Sequence, residues 1–130
     1  MFAITQLLTR AAQVNAQGLA TGDNDRQQTW SELLNKVRCF AGGLRKLGVE
    51  SDVCAAILAL NSDRYFEFMF AAPWAGGVFQ PINTRLAGPE VVYWLNDSEA
   101  EVLVIAAAFA PLVAQIKDPL DHVRYFVYID

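Results

Sequence analysis

Histidine and cysteine are scarce in this chain of 130 residues, which contains one histidine and two cysteines. A zinc site needs several His, Cys or carboxylate ligands at close spacing, and His122 has no such neighbours in the sequence. The same lack of partners predicts a loop histidine rather than a general base. Cys39 lies in a helical pattern and Cys54 in a strand pattern, and we expect both to be reduced, buried small hydrophobic residues.

Charged residues are also few. They make up 18% of the chain, with ten Lys and Arg against fourteen Asp and Glu and a formal net charge of -4. The basic residues are scattered singly from Arg10 to Arg124 and form no patch. Because nucleic-acid binding relies on clustered cations that neutralise phosphates, this distribution argues against a nucleic-acid partner.

No apolar run in the sequence is long enough to cross a membrane. The longest, residues 102–114, is rich in alanine and contains Pro111, and it predicts a strand that continues into a buried helix. The first ten residues lack the basic leader, apolar stretch and small-residue cleavage site of a secretory signal. We therefore expect a cytoplasmic protein without a membrane span.

Apolar residues, by contrast, are abundant, at 54% of the chain. A chain of this length suits a single domain, which buries roughly two-thirds of its unfolded surface. The apolar excess over an ordinary soluble domain suggests that a larger body covers part of the surface. We therefore predict that residues 1–130 form a single domain that is a fragment of a larger domain.

Capping signals and periodicity define the predicted elements. Thr29 and Glu32 have the spacing of a capping box, which begins a helix that Gly48 ends. The run from Val53 to Leu60 is apolar throughout, as expected of a central strand covered on both faces. The full predicted order is a first helix, a hairpin at 19–28, helix 29–48, strand 53–60, helix 61–74, strand 78–82, helix 88–96, strand 101–105, helix 111–117 and strand 123–129.

Strands and helices alternate through most of this order. Parallel strands need helical crossovers, and such crossovers cover both faces of a sheet. The sequence therefore predicts an α/β fold, a doubly wound and mostly parallel sheet with helices on both faces.

Two glycine pairs occur in the sequence, and neither predicts a phosphate-binding loop. Neither Gly42-Gly43 nor Gly76-Gly77 has the spacing or the strand-then-helix context of a dinucleotide or Walker-type loop. We expect Gly43 to be a position of close packing inside a helix, and Gly76-Gly77 to end a helix before the next strand.

Several short motifs, taken in order, resemble the opening of adenylate-forming enzymes. The segment 70–86, FAAPWAGGVFQPINTRL, is similar to the early signature of acyl-CoA synthetases. The motif PIN followed by RL resembles the branch of fatty-acid and aromatic-acid CoA ligases rather than peptide-synthetase adenylation domains, which tend to carry an acid at position 83. The other matching motifs are TWSEL at 29–33, AGGL at 41–44, LGV at 47–49 and LNDS at 95–98, so that the resemblance extends from about Leu7 to the end.

This resemblance implies the N-terminal portion of an AMP-binding acyl-CoA synthetase. Such an enzyme uses ATP and Mg²⁺ to convert a carboxylic acid into an acyl adenylate, and coenzyme A then accepts the acyl group. The phosphate loop, the ribose-binding acid and the mobile lysine of the family are not in this sequence. The resemblance therefore implies a structural segment of a larger N-terminal domain, with no catalytic residue or cofactor site complete in it, inactive alone and partnered by the remainder of its own chain.

One residue is a candidate ligand contact. Arg85 resembles an arginine that approaches the nucleotide phosphates of CoA in some related ligases, and the fixed fork of guanidinium donors suits that role. The alternative is that Arg85 caps carbonyl groups or pairs with Glu90.

The aromatic residues and the last predicted strand admit a different function class. We interpret the aromatic side chains as core or interface packing rather than an acyl pocket. The exposed edge of strand 123–129 and the apolar excess also fit a stand-alone binding or oligomerisation module, such as a homodimer. The aromatic residues concerned are Trp30, Trp74, Trp94, Phe66, Phe68 and Phe70.

Overall fold

The computed structural model describes residues 3–130 and shows an α/β fold. A four-stranded sheet is flanked by helices, and a separate two-stranded hairpin lies near the start. A 3-10 turn at Ala107–Phe109 precedes the last helix. The elements are α1 (Ile4–Val14), β1 (Leu19–Asp23), β2 (Arg26–Thr29), α2 (Trp30–Lys46), β3 (Cys54–Leu58), α3 (Asp63–Ala75), β4 (Val78–Pro81), α4 (Gly88–Asp97), β5 (Val102–Ile105), α5 (Ala110–Ile116) and β6 (Tyr125–Tyr128).

The sheet is parallel throughout, with the strand order β4-β3-β5-β6. The chain leaves β3 through α3 to form β4 at one edge, and it then returns through α4 to β5 on the other side of β3. This reversal places α2 and α3 on one face of the sheet, and α4 and α5 on the other. The predicted doubly wound α/β fold is confirmed.

The central strand β3 is buried along its whole length. Its residues alternate between the two apolar cores, with Ile57 packing towards α2 and α3 and Leu58 towards α4 and α5. This alternation follows from the two-residue period of a strand, and it explains why the sequence is apolar at every position.

The capping box at the start of α2 is confirmed. The Thr29 hydroxyl accepts a hydrogen bond from the Glu32 amide at 3.2 Å, and the Glu32 carboxylate accepts one from the Thr29 amide at 2.8 Å. Gly48 has a φ of 91°, a left-handed conformation that ends the helix at little steric cost.

The helix α3 ends as the sequence predicts, with Pro73 inside its last turn. Gly76 follows at a φ of 98°, and the Gly77 amide donates to the Ala72 carbonyl at 3.0 Å. A Cβ atom on Gly77 would lie 2.5 Å from Val49 Cγ1 and 2.8 Å from the Val53 carbonyl oxygen. Gly77 therefore lets the end of α3 lie directly against the segment that leads into β3.

Three local predictions are wrong. Gly43 is exposed, and a Cβ atom there would meet nothing within 4 Å, so close packing does not explain this glycine. Cys39 is exposed rather than buried, because it lies on the outer side of α2. The helix α5 is buried on one side only: Val113 and Ile116 are covered, whereas Ala110 is half-buried and Ala114 is exposed.

Within residues 3–130, no helix combines the length and apolar character that a membrane crossing requires.

Candidate substrate-binding site

The carboxyl ends of the parallel strands form the first candidate site. In open α/β sheets, ligands bind outside these ends, where neighbouring crossovers leave in opposite directions. Between the ends of β3 and β4 lies an open cavity of about 440 Å³. Asn61, Tyr65, Asn83 and Thr84 contribute polar groups to its lining, and burial raises the pKa of the Tyr65 phenol above its ordinary value.

A second cavity, of about 210 Å³, lies where the winding of the sheet reverses, between the ends of β3 and β5. Arg26 and Arg64 line it together with Asn61 and Asp130. The Asp130 carboxylate accepts a hydrogen bond from the Ala107 amide at 2.7 Å. Both arginines already have carboxylate partners, so the cavity does not present two free cations.

Arg26 is held by a buried carboxylate at the start of α3. Its guanidinium donates to Asp63 at 2.6 Å, and the Asp63 side chain is only 3% exposed. Asp23, at the end of β1, also contacts Arg26 at 3.4 Å and accepts from the Asp63 amide at 3.3 Å. These contacts fasten the hairpin to the beginning of α3.

Glu67 forms a second buried polar cluster one turn further along α3. Arg64 lies 3.2 Å from its carboxylate, the Gln28 amide donates to it at 3.2 Å, and Lys36 approaches to 3.9 Å. Sequence reasoning missed this cluster and the Asp63 contact. The available signal was the four-residue spacing of Asp63 and Glu67, which places two carboxylates on one side of a helix whose other residues are mostly apolar.

The loop that carries Arg85 is ordered by its own side chains. The Asn83 carboxamide oxygen accepts a hydrogen bond from the Arg85 amide at 3.0 Å, and the Leu86 amide donates to the Asn83 carbonyl at 3.2 Å. Such an Asx turn fixes the backbone without using the arginine side chain. Arg85 is therefore presented at the surface by a defined turn.

The predicted alternative roles of Arg85 are not what the structure shows. The Glu90 carboxylate accepts from the Ala87 amide at 2.8 Å and completes the start of α4. Within the described part of the chain, the Arg85 guanidinium has neither an ion-pair partner nor a carbonyl to cap.

A narrow groove lies beside this loop. It has a volume of about 170 Å³ and is bounded by Trp94 of α4 and by four residues at and after the end of β4. Those four residues are Pro81, Ile82, Asn83 and Leu86. The sequence predicts that Trp94 packs in the core or at an interface, and its exposure of 48% excludes the core.

Three side chains, from β3, β4 and the end of α4, form a hydrogen-bonded cluster around β4, the strand that precedes the Arg85 loop. Gln80 Oε1 accepts from the Ser98 hydroxyl at 2.6 Å and from the Cys54 thiol at 3.4 Å. Burial raises the pKa of Cys54 above its ordinary value of 9.0, and a hydrogen bond with Ser98 offsets part of this rise. A buried thiol that favours its protonated form is a poor nucleophile.

The remaining candidates are not brought together. His122 is exposed in the turn before β6, as the sequence predicts for a loop histidine. From residue 3 onwards, no three His, Cys, Asp or Glu side chains are grouped so that they could hold a metal ion.

Comparison with known families decides the assignment. The family described as AMP-binding enzyme matches residues 8–130. The chain belongs to this family. Among curated relatives, a 3-methylmercaptopropionyl-CoA ligase from Ruegeria lacuscaerulensis is 34% identical over 128 residues. That alignment covers 95% of this chain and 24% of the relative.

Two further comparisons agree with this membership. A long-chain-fatty-acid–CoA ligase from Thermus thermophilus is 38% identical over 112 residues, which are 86% of this chain and 20% of the ligase. The solved structure of a fatty acyl CoA synthetase from Mycobacterium tuberculosis superposes with a TM-score of 0.93 at 30% identity, over 98% of this chain and 26% of that one. This chain thus spans about a quarter or less of the length of the relatives it matches.

Proposed function

We propose that this chain is the N-terminal portion of an ATP-dependent acyl-CoA synthetase, an acid–thiol ligase. The observation that supports the proposal most strongly is the family match over residues 8–130, on a fold that superposes on a fatty acyl CoA synthetase. The proposed substrate class is a carboxylic acid. We specify no particular acid, because the two curated relatives are named for different ones.

The proposed reaction has two steps. A carboxylate oxygen of the acid attacks the α-phosphorus of ATP, and pyrophosphate leaves with the electrons of the broken bond. The CoA sulfur then attacks the carbonyl carbon of the acyl adenylate, and AMP leaves while the thiol proton passes to solvent. Activation is needed because a free carboxylate resists nucleophiles.

The segment itself has a structural role in this proposal. Within residues 3–130 no three His, Cys, Asp or Glu side chains are grouped to hold a metal ion, and we assign the binding of Mg²⁺ to the remainder of the chain. The segment supplies parallel strands and the Arg85 turn, and the remainder of its own chain supplies the catalytic residues. Alone, it is inactive.

Arg85 is the residue of this segment that we assign to CoA. Its guanidinium is exposed on an ordered turn, and the neighbouring acid Glu90 is occupied by the start of α4. A phosphate of the CoA nucleotide could therefore bind the Arg85 guanidinium without first displacing a carboxylate of residues 3–130.

The expected location is cytoplasmic, and the expected partner is the rest of the same polypeptide. The homodimer through the β6 edge stays a prediction of the sequence. The strand does expose Tyr125, Phe126 and Tyr128, which a further part of the same chain would also cover.

Thioester formation by the full-length protein tests the proposal. With a panel of carboxylic acids, ATP, Mg²⁺ and CoA, mass spectrometry should find an acyl-CoA.

Arg85→Ala should raise the KM for CoA about tenfold and leave the KM for ATP unchanged, since one charged hydrogen bond is lost. Arg10→Ala, at an exposed position of α1, is the matched control. An unchanged KM for CoA in Arg85→Ala would remove Arg85 from the site.

A further inference from the structure

We infer that Glu67 and its partners form a polar latch, which fixes one position of the β1–β2 hairpin on the helices and adds little to the free energy of unfolding. The latch consists of Gln28, Lys36, Arg64 and Glu67. This role is independent of the proposed function, because it concerns the conformation of the segment and not its ligands. Glu67 and Gln28 are already buried within residues 3–130, and further chain could only cover them more.

The Glu67 carboxylate joins three elements. It accepts a hydrogen bond from Gln28 Nε2 of β2 at 3.2 Å, and Arg64 Nη1 of its own helix donates to its two oxygens at 3.2 Å and 3.3 Å. Lys36 Nζ of α2 approaches to 3.9 Å. Hydrogen bonds weaken steeply when their distance or angle changes, so this set of contacts is complete in one placement of β2 only.

Apolar packing specifies the position of the hairpin poorly. The strand β2 has the sequence RQQT and contains no apolar side chain. In β1, Ala20 packs against the core, whereas Leu19 is 62% exposed. Strands without a clear apolar face are prone to alternative pairings, and the pairing of β1 is already irregular between Leu19 and Thr21. The hairpin therefore needs polar contacts to fix its position, and the buried Gln28 provides one.

The same cluster is unfavourable for stability. Ion pairs offset only part of the free energy lost when a carboxylate leaves water, and apolar replacement of a buried pair is often neutral or stabilising. Gln28 Oε1 is buried and accepts no hydrogen bond from any residue that the structure describes, and Thr21 Oγ1, directly opposite in the hairpin, has no partner there either. Buried polar atoms without partners oppose folding. Selection for stability alone would not retain this arrangement.

The position of the hairpin affects the carboxyl edge of the sheet. Arg26 of β2 and Arg64 of the latch both line the cavity between the ends of β3 and β5. Glu67 holds Arg64 directly, and it holds the strand that carries Arg26 through Gln28. The polar latch therefore fixes two neighbouring side chains of this edge in one arrangement.

A paired apolar substitution in the full-length protein tests the inference. Gln28→Met with Glu67→Met removes both buried polar groups at similar volume, and the long side chains of Lys36 and Arg64 can turn away from the substituted pair. Hydrogen exchange, read by peptide mass spectrometry, should become about tenfold faster at the hairpin amides. In rising urea, the midpoint at which the β5 amides lose protection should stay unchanged or rise, because these amides report unfolding of the whole sheet.

Two further variants complete the test. Glu67→Gln keeps an acceptor for Gln28 Nε2, so the hairpin should keep most of its protection. Gln27→Met, at the exposed neighbour of Gln28, is the matched control and should change neither measurement. The inference is overturned if the hairpin of the double variant exchanges as slowly as that of the natural protein. It is also overturned if the β5 midpoint falls, since the cluster would then contribute to global stability.

Discussion

Gly43 and Gly77 each stand second in a pair of glycines, yet their surroundings are opposite. A Cβ atom on Gly77 would lie 2.8 Å from the backbone oxygen of Val53, whereas one on Gly43 would meet nothing within 4 Å. Gly77→Ala should therefore lower the free energy of unfolding by about 1–3 kcal/mol, because backbone must shift to make room.

Gly43→Ala is the matched substitution, at an exposed position near the C-terminal end of α2. It should raise the free energy of unfolding by about 0.5–1 kcal/mol, because alanine loses less backbone entropy in a helix. Chemical denaturation measures both changes. Equal effects of the same sign would contradict the assigned surroundings.

The two cysteines should differ in reactivity. Cys39 is exposed and Cys54 is buried, and burial raises the pKa of the Cys54 thiol above 9.0. The fold thus favours protonated Cys54, so its contribution to stability is complete below pH 9 and is lost as the pH rises through the higher folded-state pKa. In the native protein, a thiol reagent should label Cys39 quickly and Cys54 slowly at pH 8, and slowly still near pH 9.

Peptide mass spectrometry after timed labelling checks this prediction. Cys39→Ser should remove the fast phase and leave the slow one. Rapid labelling of Cys54 in the native protein would show that its thiol is accessible.

The sequence could predict residue roles only where a local pattern determines them. Capping at Thr29 and the stop at Gly76 follow from neighbouring residues, and both are confirmed. The environment of Cys39, Gly43 and Trp94 depends on which side of a helix the rest of the chain covers. No local pattern contains that information.

Among the elements, the hairpin is joined to α3 by an ion pair in which only the carboxylate is buried. Arg26 and Asp63 are 2.6 Å apart, with side chains 51% and 3% exposed. A double-mutant cycle with Arg26→Met and Asp63→Asn should give a coupling energy of about 1–2 kcal/mol, since a charged hydrogen bond to a desolvated carboxylate is lost in each single variant.

The pair Arg124 and Glu101 is the control for this cycle. It is 3.9 Å apart and more exposed, so its coupling should stay below about 0.5 kcal/mol. Equal couplings for the two pairs would mean that the contact with Asp63 does not hold the hairpin.

Element order was predictable because the period of apolar residues changes between strands and helices. The strand 53–60 and the helix 88–96 are confirmed within two residues at each end. The buried helix expected from residues 102–114 is wrong, because alanine favours helix whether it is covered or exposed.

At the scale of the whole molecule, alternation predicted the doubly wound sheet, and the segment 70–86 predicted the family. The candidate site was only partly predictable. Arg85 was found through its motif, while the groove beside it requires α4 to fold back against β4. The contact between Gln80 and Trp94 joins residues from different elements, so the spacing of residues along the sequence does not predict it.

The most direct test of the central claim is exchange of radiolabelled pyrophosphate into ATP by the full-length protein, with and without carboxylic acids. This exchange reports the first step alone and requires no CoA. The account predicts exchange that depends on an added acid, and none from residues 1–130 alone. Exchange by the 130-residue chain would contradict this account. So would a full-length protein that binds ATP but shows no exchange with any of the added acids.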